Sequence, residues 1–108
     1  MIVEDSLVVR ELLSHIISND PRLMVVEAVA SGEEALAKLE SARPDVISMD
    51  IQLPGIDGVD TTREIMIRRP TPIVIVASGV SANHGILAMR AMRAGALTAI
   101  DKPVGTTH

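Results

Sequence analysis

The chain has no Phe, Trp or Tyr and no Cys. Without Cys it has no disulfide, no thiolate metal site and no cysteine nucleophile. Without aromatic rings it has no platform on which single-stranded bases could stack. A formal net charge of −4 also argues against nucleic acid as a direct ligand. No apolar run approaches the roughly 20 residues of a membrane span, and no basic-then-apolar leader opens the chain. The expected setting is therefore the cytoplasm, away from membranes. Internal repeats, linkers and low-complexity stretches are lacking too. What is present is 108 residues, 47% hydrophobic and 22% charged, the composition of one soluble domain with one core.

Two kinds of segment alternate along it. Ile2 and Val3 look like the end of a strand. From Ser6 to Ser18, the residues Val9, Leu12, Leu13, Ile16 and Ile17 recur with the spacing of one helical face. Asn19, Asp20 and Pro21 break that pattern. Met24 to Val29 reads as a strand, and Ser31 with Glu34 forms a capping box that opens a helix turning Ala35, Leu36 and Leu39 inward. Asp45 to Met49 reads as a short strand that delivers Asp50. A turn-rich loop follows, then a helix with Val59, Thr62, Ile65 and Met66 on its inner side. The β-branched run Ile73 to Ala77 suits a central strand of a parallel sheet covered on both faces. A helix over about 82–94 and a strand over Leu97 to Ile100 complete the alternation, which predicts a doubly wound α/β sheet with right-handed crossovers.

Ligands of such sheets bind beyond the carboxyl ends of the strands. Those ends carry Glu4 and Asp5, Asp50, Ser78, and Lys102. Three carboxylates, a hydroxyl and an ammonium would thus share one edge. Clustered carboxylates repel unless a cation joins them, and an oxygen-only set suits Mg²⁺ or Mn²⁺ rather than Zn²⁺. A carboxylate beside Mg²⁺ is a known phosphoryl acceptor, and a lysine and a hydroxyl would help spread the charge of the transferring group.

The strings Ile2-Val3-Glu4-Asp5-Ser6, Ser48 to Gly58, Ala77-Ser78-Gly79 and Asp101-Lys102-Pro103 resemble, in order, the motifs of response regulator receiver domains. Looser strings, among them Asn19-Asp20-Pro21 and Arg69-Pro70-Thr71-Pro72, are similar to the receivers of chemotaxis protein-glutamate methylesterases. The resemblance implies a flavodoxin-like five-stranded sheet of order 2-1-3-4-5. It implies Asp50 as phosphoacceptor for a histidine kinase, with Asp5, Glu4, Asp50 and the Gln52 backbone carbonyl as metal ligands. It also implies Ser78 as the switch hydroxyl, Lys102 as partner of the phosphoryl group, a cis peptide before Pro103, and an attached or partner output module. On this reading the domain catalyses only its own phosphoryl transfer and dephosphorylation.

Three departures stand out. Ala99 occupies the switch position where receivers usually carry Tyr or Phe, and Glu4 replaces the commoner Asp. The chain also starts three residues before Glu4 and stops at His108, so the domain over 1–108 is expected to be slightly truncated at both ends and to lack a fifth helix.

Plainer readings compete residue by residue. Asp5 alone would be a helix N-terminal carboxylate, Lys102 a surface lysine, Ser78 a strand-end hydroxyl, and Asp57-Gly58 a turn signal. Met66, Met89 and Met92 read as space-filling residues, with Ile86, Met89 and Met92 as a less favoured partner face. His15, His84, His108, Arg90 and Arg93 read as solvated. Among whole functions, a haloacid dehalogenase-type enzyme needs a second acid two residues after Asp50, where Gln52 stands. A flavin carrier lacks its phosphate loop and stacking ring. The serious alternative is a non-phosphorylated receiver that acts only as a docking module. No Ser-His-Asp esterase apparatus lies within these residues.

Overall fold

The computed structural model describes residues 1–78 and 85–103. Strands β1 (Ile2–Val3), β2 (Ala28–Val29), β3 (Ile47–Met49), β4 (Ile73–Ala77) and β5 (Thr98–Asp101) alternate with helices α1 (Leu7–Ser18), α2 (Gly32–Ala42), α3 (Gly58–Arg68) and α4 (Gly85–Ala94). All pairings are parallel and the sheet order is β2-β1-β3-β4-β5. This is the flavodoxin-like order that the resemblance implied. Residues 82–84 of the expected fourth helix lie outside the described residues, as do His84 and His108.

The order also fixes which face each helix covers. The chain steps one way from β1 to β2, then reverses direction and keeps it through β3, β4 and β5. Crossovers of one hand therefore place α1 on one face and α2, α3 and α4 on the other. Neighbouring helices α2 with α3 and α3 with α4 pack together, while α1 packs on β1. The main core sits on the three-helix side. There Val3, Met49 and Ile75 form one row across the sheet, extended by Ala99 of β5. Ala35, Leu39, Val59, Ile65, Ala88 and Ala91 close over it.

Capping follows the local sequence. Ser31 Oγ accepts from Glu34 N at 3.1 Å, and Glu34 Oε1 reaches back to Ala30 N at 3.2 Å. Asp57 caps α3 by accepting from Asp60 N at 2.8 Å, so this supposed turn residue starts a helix.

Several expectations need correction. The second strand spans only Ala28–Val29, because residues 23–26 diverge from the sheet and leave Leu23, Met24 and Val26 exposed. β3 starts at Ile47 instead of Asp45, and β5 is shifted by one to Thr98–Asp101. Of the five apolar residues assigned to the inner face of α1, only Leu13 is buried, and Ile16 is 47% exposed. The reason is topological: α1 is the only described helix on its side of the sheet. Met66 packs on the core as expected, but Met89 and Met92 do not. On α4 the small residues Ala88 and Ala91 face inward, which turns Ile86, Met89 and Met92 to solvent. The peptide before Pro103 is trans, not cis. Trans is the lower-energy form even before proline, and Lys102 is aimed by its ion pairs instead.

Candidate functional site

Glu4 directly follows β1, and its N–H donates to Val29 O at 3.0 Å. Asp50 directly follows β3, and its N–H donates to Val3 O at 3.0 Å. The ladder thus carries both acids to the same edge of adjacent strands. Both are nearly sealed from solvent, with 1% of Glu4 and 3% of Asp50 exposed. Asp5, the next residue along, is exposed at the rim. Carboxylate oxygens of Glu4, Asp5 and Asp50 lie within 4.8 Å of one another.

Lys102 arrives from β5, held by its N–H to Ala77 O at 3.2 Å. Its Nζ is 3.1 Å from Asp50 Oδ2 and 3.1 Å from Glu4 Oε1, so one ammonium joins two buried carboxylates. The hydrogen bond to Glu4 is aligned with Oε2, at 3.2 Å, which also accepts from Ser6 N at 3.1 Å. Buried Oε1 keeps only the ion pair, with no aligned donor.

Burial pushes the Glu4 carboxyl above its ordinary range. The Ser6 N–H draws it down, Asp50 pushes it up, and Lys102 draws it down, with a net rise. For Lys102, burial works against the charged form. The bonds and charges of Asp50 and Glu4 outweigh it, and the ammonium is held above its usual value.

The capping oxygen of α1 is Ser6 Oγ, which accepts from Val9 N at 3.3 Å, so the Asp5 carboxylate is not spent on the cap. Three close carboxylates with a spare buried oxygen fit a hard dication that prefers oxygen, such as Mg²⁺, and lack the nitrogen or sulfur that Zn²⁺ favours. Gln52 is exposed in the loop after β3, where its N–H donates to Asp50 Oδ1 at 3.3 Å. Ser78 directly follows β4 and is exposed. Ala99 is half-buried in β5 against the core, beside Ile75.

The structure therefore brings Glu4, Asp5, Asp50 and Lys102 together, with Gln52 tied to Asp50 by its backbone. Sequence reasoning missed Arg10. Its guanidinium reaches back along α1 to Glu4 O at 2.8 Å and Asp5 O at 3.4 Å, bracing the turn that carries both acids. An arginine one helical turn past the Ser6 cap was the available signal.

The chain as a whole is similar to known proteins. The model of the response regulator receiver domain family matches residues 1–108. The protein-glutamate methylesterase/protein-glutamine glutaminase 2 of Paramagnetospirillum magneticum is 59% identical over 108 residues, all of this chain and 31% of that protein. A similarly named protein of Syntrophus aciditrophicus is 52% identical, over 95% of this chain and 29% of its own length. The chain thus spans about a third of these relatives. Among solved structures, the response regulator domain of Thermotoga maritima CheB superposes with a TM-score of 0.84 and 36% identity, covering 99% of this chain and 79% of that one. The CheX–CheY–BeF₃–Mg²⁺ complex of Borrelia burgdorferi gives a TM-score of 0.82 at 25% identity, over 95% of this chain and 76% of that one. With a family match along its whole length and the expected strand order, the chain belongs to the response regulator receiver domain family, among the receivers of CheB-type proteins.

Proposed function

We propose that Asp50 accepts a phosphoryl group from a histidine kinase, with Mg²⁺ (or Mn²⁺) held by Asp5, Glu4, Asp50 and the Gln52 backbone carbonyl. The observation that carries this reading is the convergence of Lys102 Nζ and the Glu4 and Asp5 carboxylates on the Asp50 side chain. An Asp50 oxygen forms the new P–O bond as the P–N bond to the donor imidazole breaks. The released nitrogen keeps the electron pair and takes a proton. A metal held by these residues would supply positive charge to the phosphoryl oxygens. Lys102 is already fixed beside Asp50 and supplies a second positive charge there without reorganising. Ser78, at the end of the neighbouring strand, serves as the hydroxyl that turns toward the new phosphoryl group.

The names of the relatives support a reading of the output. In a longer protein of the methylesterase type, this cytoplasmic domain would gate an esterase acting on receptor glutamyl esters, with phosphorylation relieving inhibition. Ala99 offers no ring to carry that signal, so the readout would pass through Ser78 and the segment after it.

The test is phosphoryl gain from acetyl phosphate, followed by intact mass, for the parent and Asp50→Asn with and without Mg²⁺. The expected result is one phosphoryl group on the parent with Mg²⁺ and none in the other arms. A folded parent that gains nothing would sink this reading in favour of a docking module.

A further inference from the structure

We infer that Glu33, on α2, is a positioning residue for the metal-binding loop after Asp50; this rests on the metal site proposed above. The loop from Ile51 to Asp57 is closed at its base by Gly58 N–H donating to Ile51 O at 2.7 Å. Two of its N–H groups donate to carboxylates. Gln52 N–H goes to Asp50 Oδ1 at 3.3 Å, and Ile56 N–H goes to Glu33 Oε2 at 3.0 Å, from 23 residues away. The Gln52 carbonyl lies on the loop between these anchors.

The two anchors differ in kind. The first belongs to the reacting side chain, whose charge and oxygens change on phosphorylation. The second stands on the first turn of a helix and is untouched by that chemistry. Glu33 therefore holds the loop in both states, and its bond is charge-assisted.

The chain at Gly55 is shaped to admit this side chain. Gly55 has φ +71°, and a Cβ there would stand 2.5 Å from Glu33 Oε2. The glycine thus satisfies a left-handed backbone and leaves room for the incoming carboxylate. The buried side chains of Ile51 and Leu53 anchor the first half of the loop in the core. On the second half, Asp57 is tied forward to the start of α3, and Glu33 bonds Ile56 back to α2.

Glu33→Ala and Glu33→Gln in the full chain separate this role from two simpler ones. Glutamine keeps an oxygen that accepts the Ile56 N–H but loses the charge. Mg²⁺ titrations are followed by the amide shift of Gln52, with hydrogen exchange of the Ile56 amide and thermal unfolding as companions. The expected result is a loss of Mg²⁺ affinity of about tenfold for Glu33→Ala, the lower end for removing a support behind a metal ligand, with faster Ile56 exchange. Glu33→Gln, which keeps the acceptor but loses the charge assistance, should fall between the parent and Glu33→Ala in both. Unchanged Mg²⁺ affinity in Glu33→Ala overturns the inference, because Ile51 and Leu53 then suffice. Equal impairment of both variants also overturns it, since the charge at the start of α2 would be the cause. If the parent itself fails to titrate, the metal reading falls and takes the inference with it. A titrating parent beside an unaffected Glu33→Ala sinks the inference alone.

Discussion

Lys102 Nζ lies 3.1 Å from Asp50 Oδ2 across 52 residues of sequence, and the same ammonium pairs with buried Glu4. The contact joins the last strand of the sheet to its central strand at the edge where chemistry is possible. Lys102→Met removes the shared counter-ion and leaves two carboxylates sealed together. The expected cost without metal at neutral pH is about 2–4 kcal/mol, toward the lower part of the range for breaking a buried pair because Lys102 is partly exposed. Urea unfolding reads it directly.

The pH dependence of that variant has a definite sign. The folded state holds the Glu4 proton more tightly than the unfolded chain does. The resulting stabilisation is present below pH 4.5 and is lost as pH rises through the raised folded value. The deficit of Lys102→Met should therefore shrink as acid protonates Glu4. In the parent, the Lys102 contribution is present below pH 10.5 and is lost only above it, as pH passes the raised value. Paired unfolding curves at acid, neutral and alkaline pH check both limbs. A deficit that grows in acid would contradict the assignment.

Glu4→Gln should separate stability from metal binding. Glutamine keeps an acceptor for Ser6 N–H without burying a charge. Without metal, the variant should be at least as stable as the parent at neutral pH, and this advantage should fade toward pH 4.5, where the parent carboxyl takes up its proton. Mg²⁺ affinity should fall at the same time, because a buried ligand charge is gone. Unfolding and Mg²⁺ titrations of one sample read both.

Much of this site was legible because sheets deliver residues by position. Asp50, Glu4 and Lys102 each sit at a strand end, and strand ends meet in a parallel sheet whatever lies between them. The caps at Ser6 and Ser31 were equally plain, since they act within three residues. Contacts between segments were not legible. Nothing in the sequence near Ile56 points to Glu33, and nothing near Glu4 shows that Asp5 takes the exposed place beside it. The inner face of α1 was misjudged for a related reason. Periodicity finds an apolar stripe, but how deeply that stripe is buried depends on how many helices share its side of the sheet.

Gly58→Ala tests how tightly the loop is folded back on the acceptor. A Cβ at Gly58 would collide with the Asp50 carbonyl oxygen and stand 2.7 Å from Ile51 Cα. Backbone on both sides leaves no flexible group to yield. The expected loss is about 1–3 kcal/mol for overpacking, or more, together with slower phosphoryl gain because Asp50 itself must shift. A variant as stable and as quickly phosphorylated as the parent would show that the loop has slack.

Asp57 poses the opposite question: an acid seven residues from the acceptor that serves the fold and not the chemistry. Its Oδ1 accepts from Asp60 N at 2.8 Å, and its carbonyl accepts from Thr61 Oγ1 at 2.7 Å, so its side chain is committed to the start of α3. Asp57→Ala should cost about 1 kcal/mol, as loss of a helix cap does, which lowers the melting temperature of a domain this size by about 4–8 °C. Asp57→Asn keeps the capping oxygen and should cost much less. Both variants should gain phosphoryl groups like the parent at temperatures where they are folded. Had Asp57 been a fourth acid of the metal site, Asp57→Asn would lose Mg²⁺ affinity while keeping its stability. That single pattern, affinity lost with stability kept, decides whether three carboxylates or four make the site.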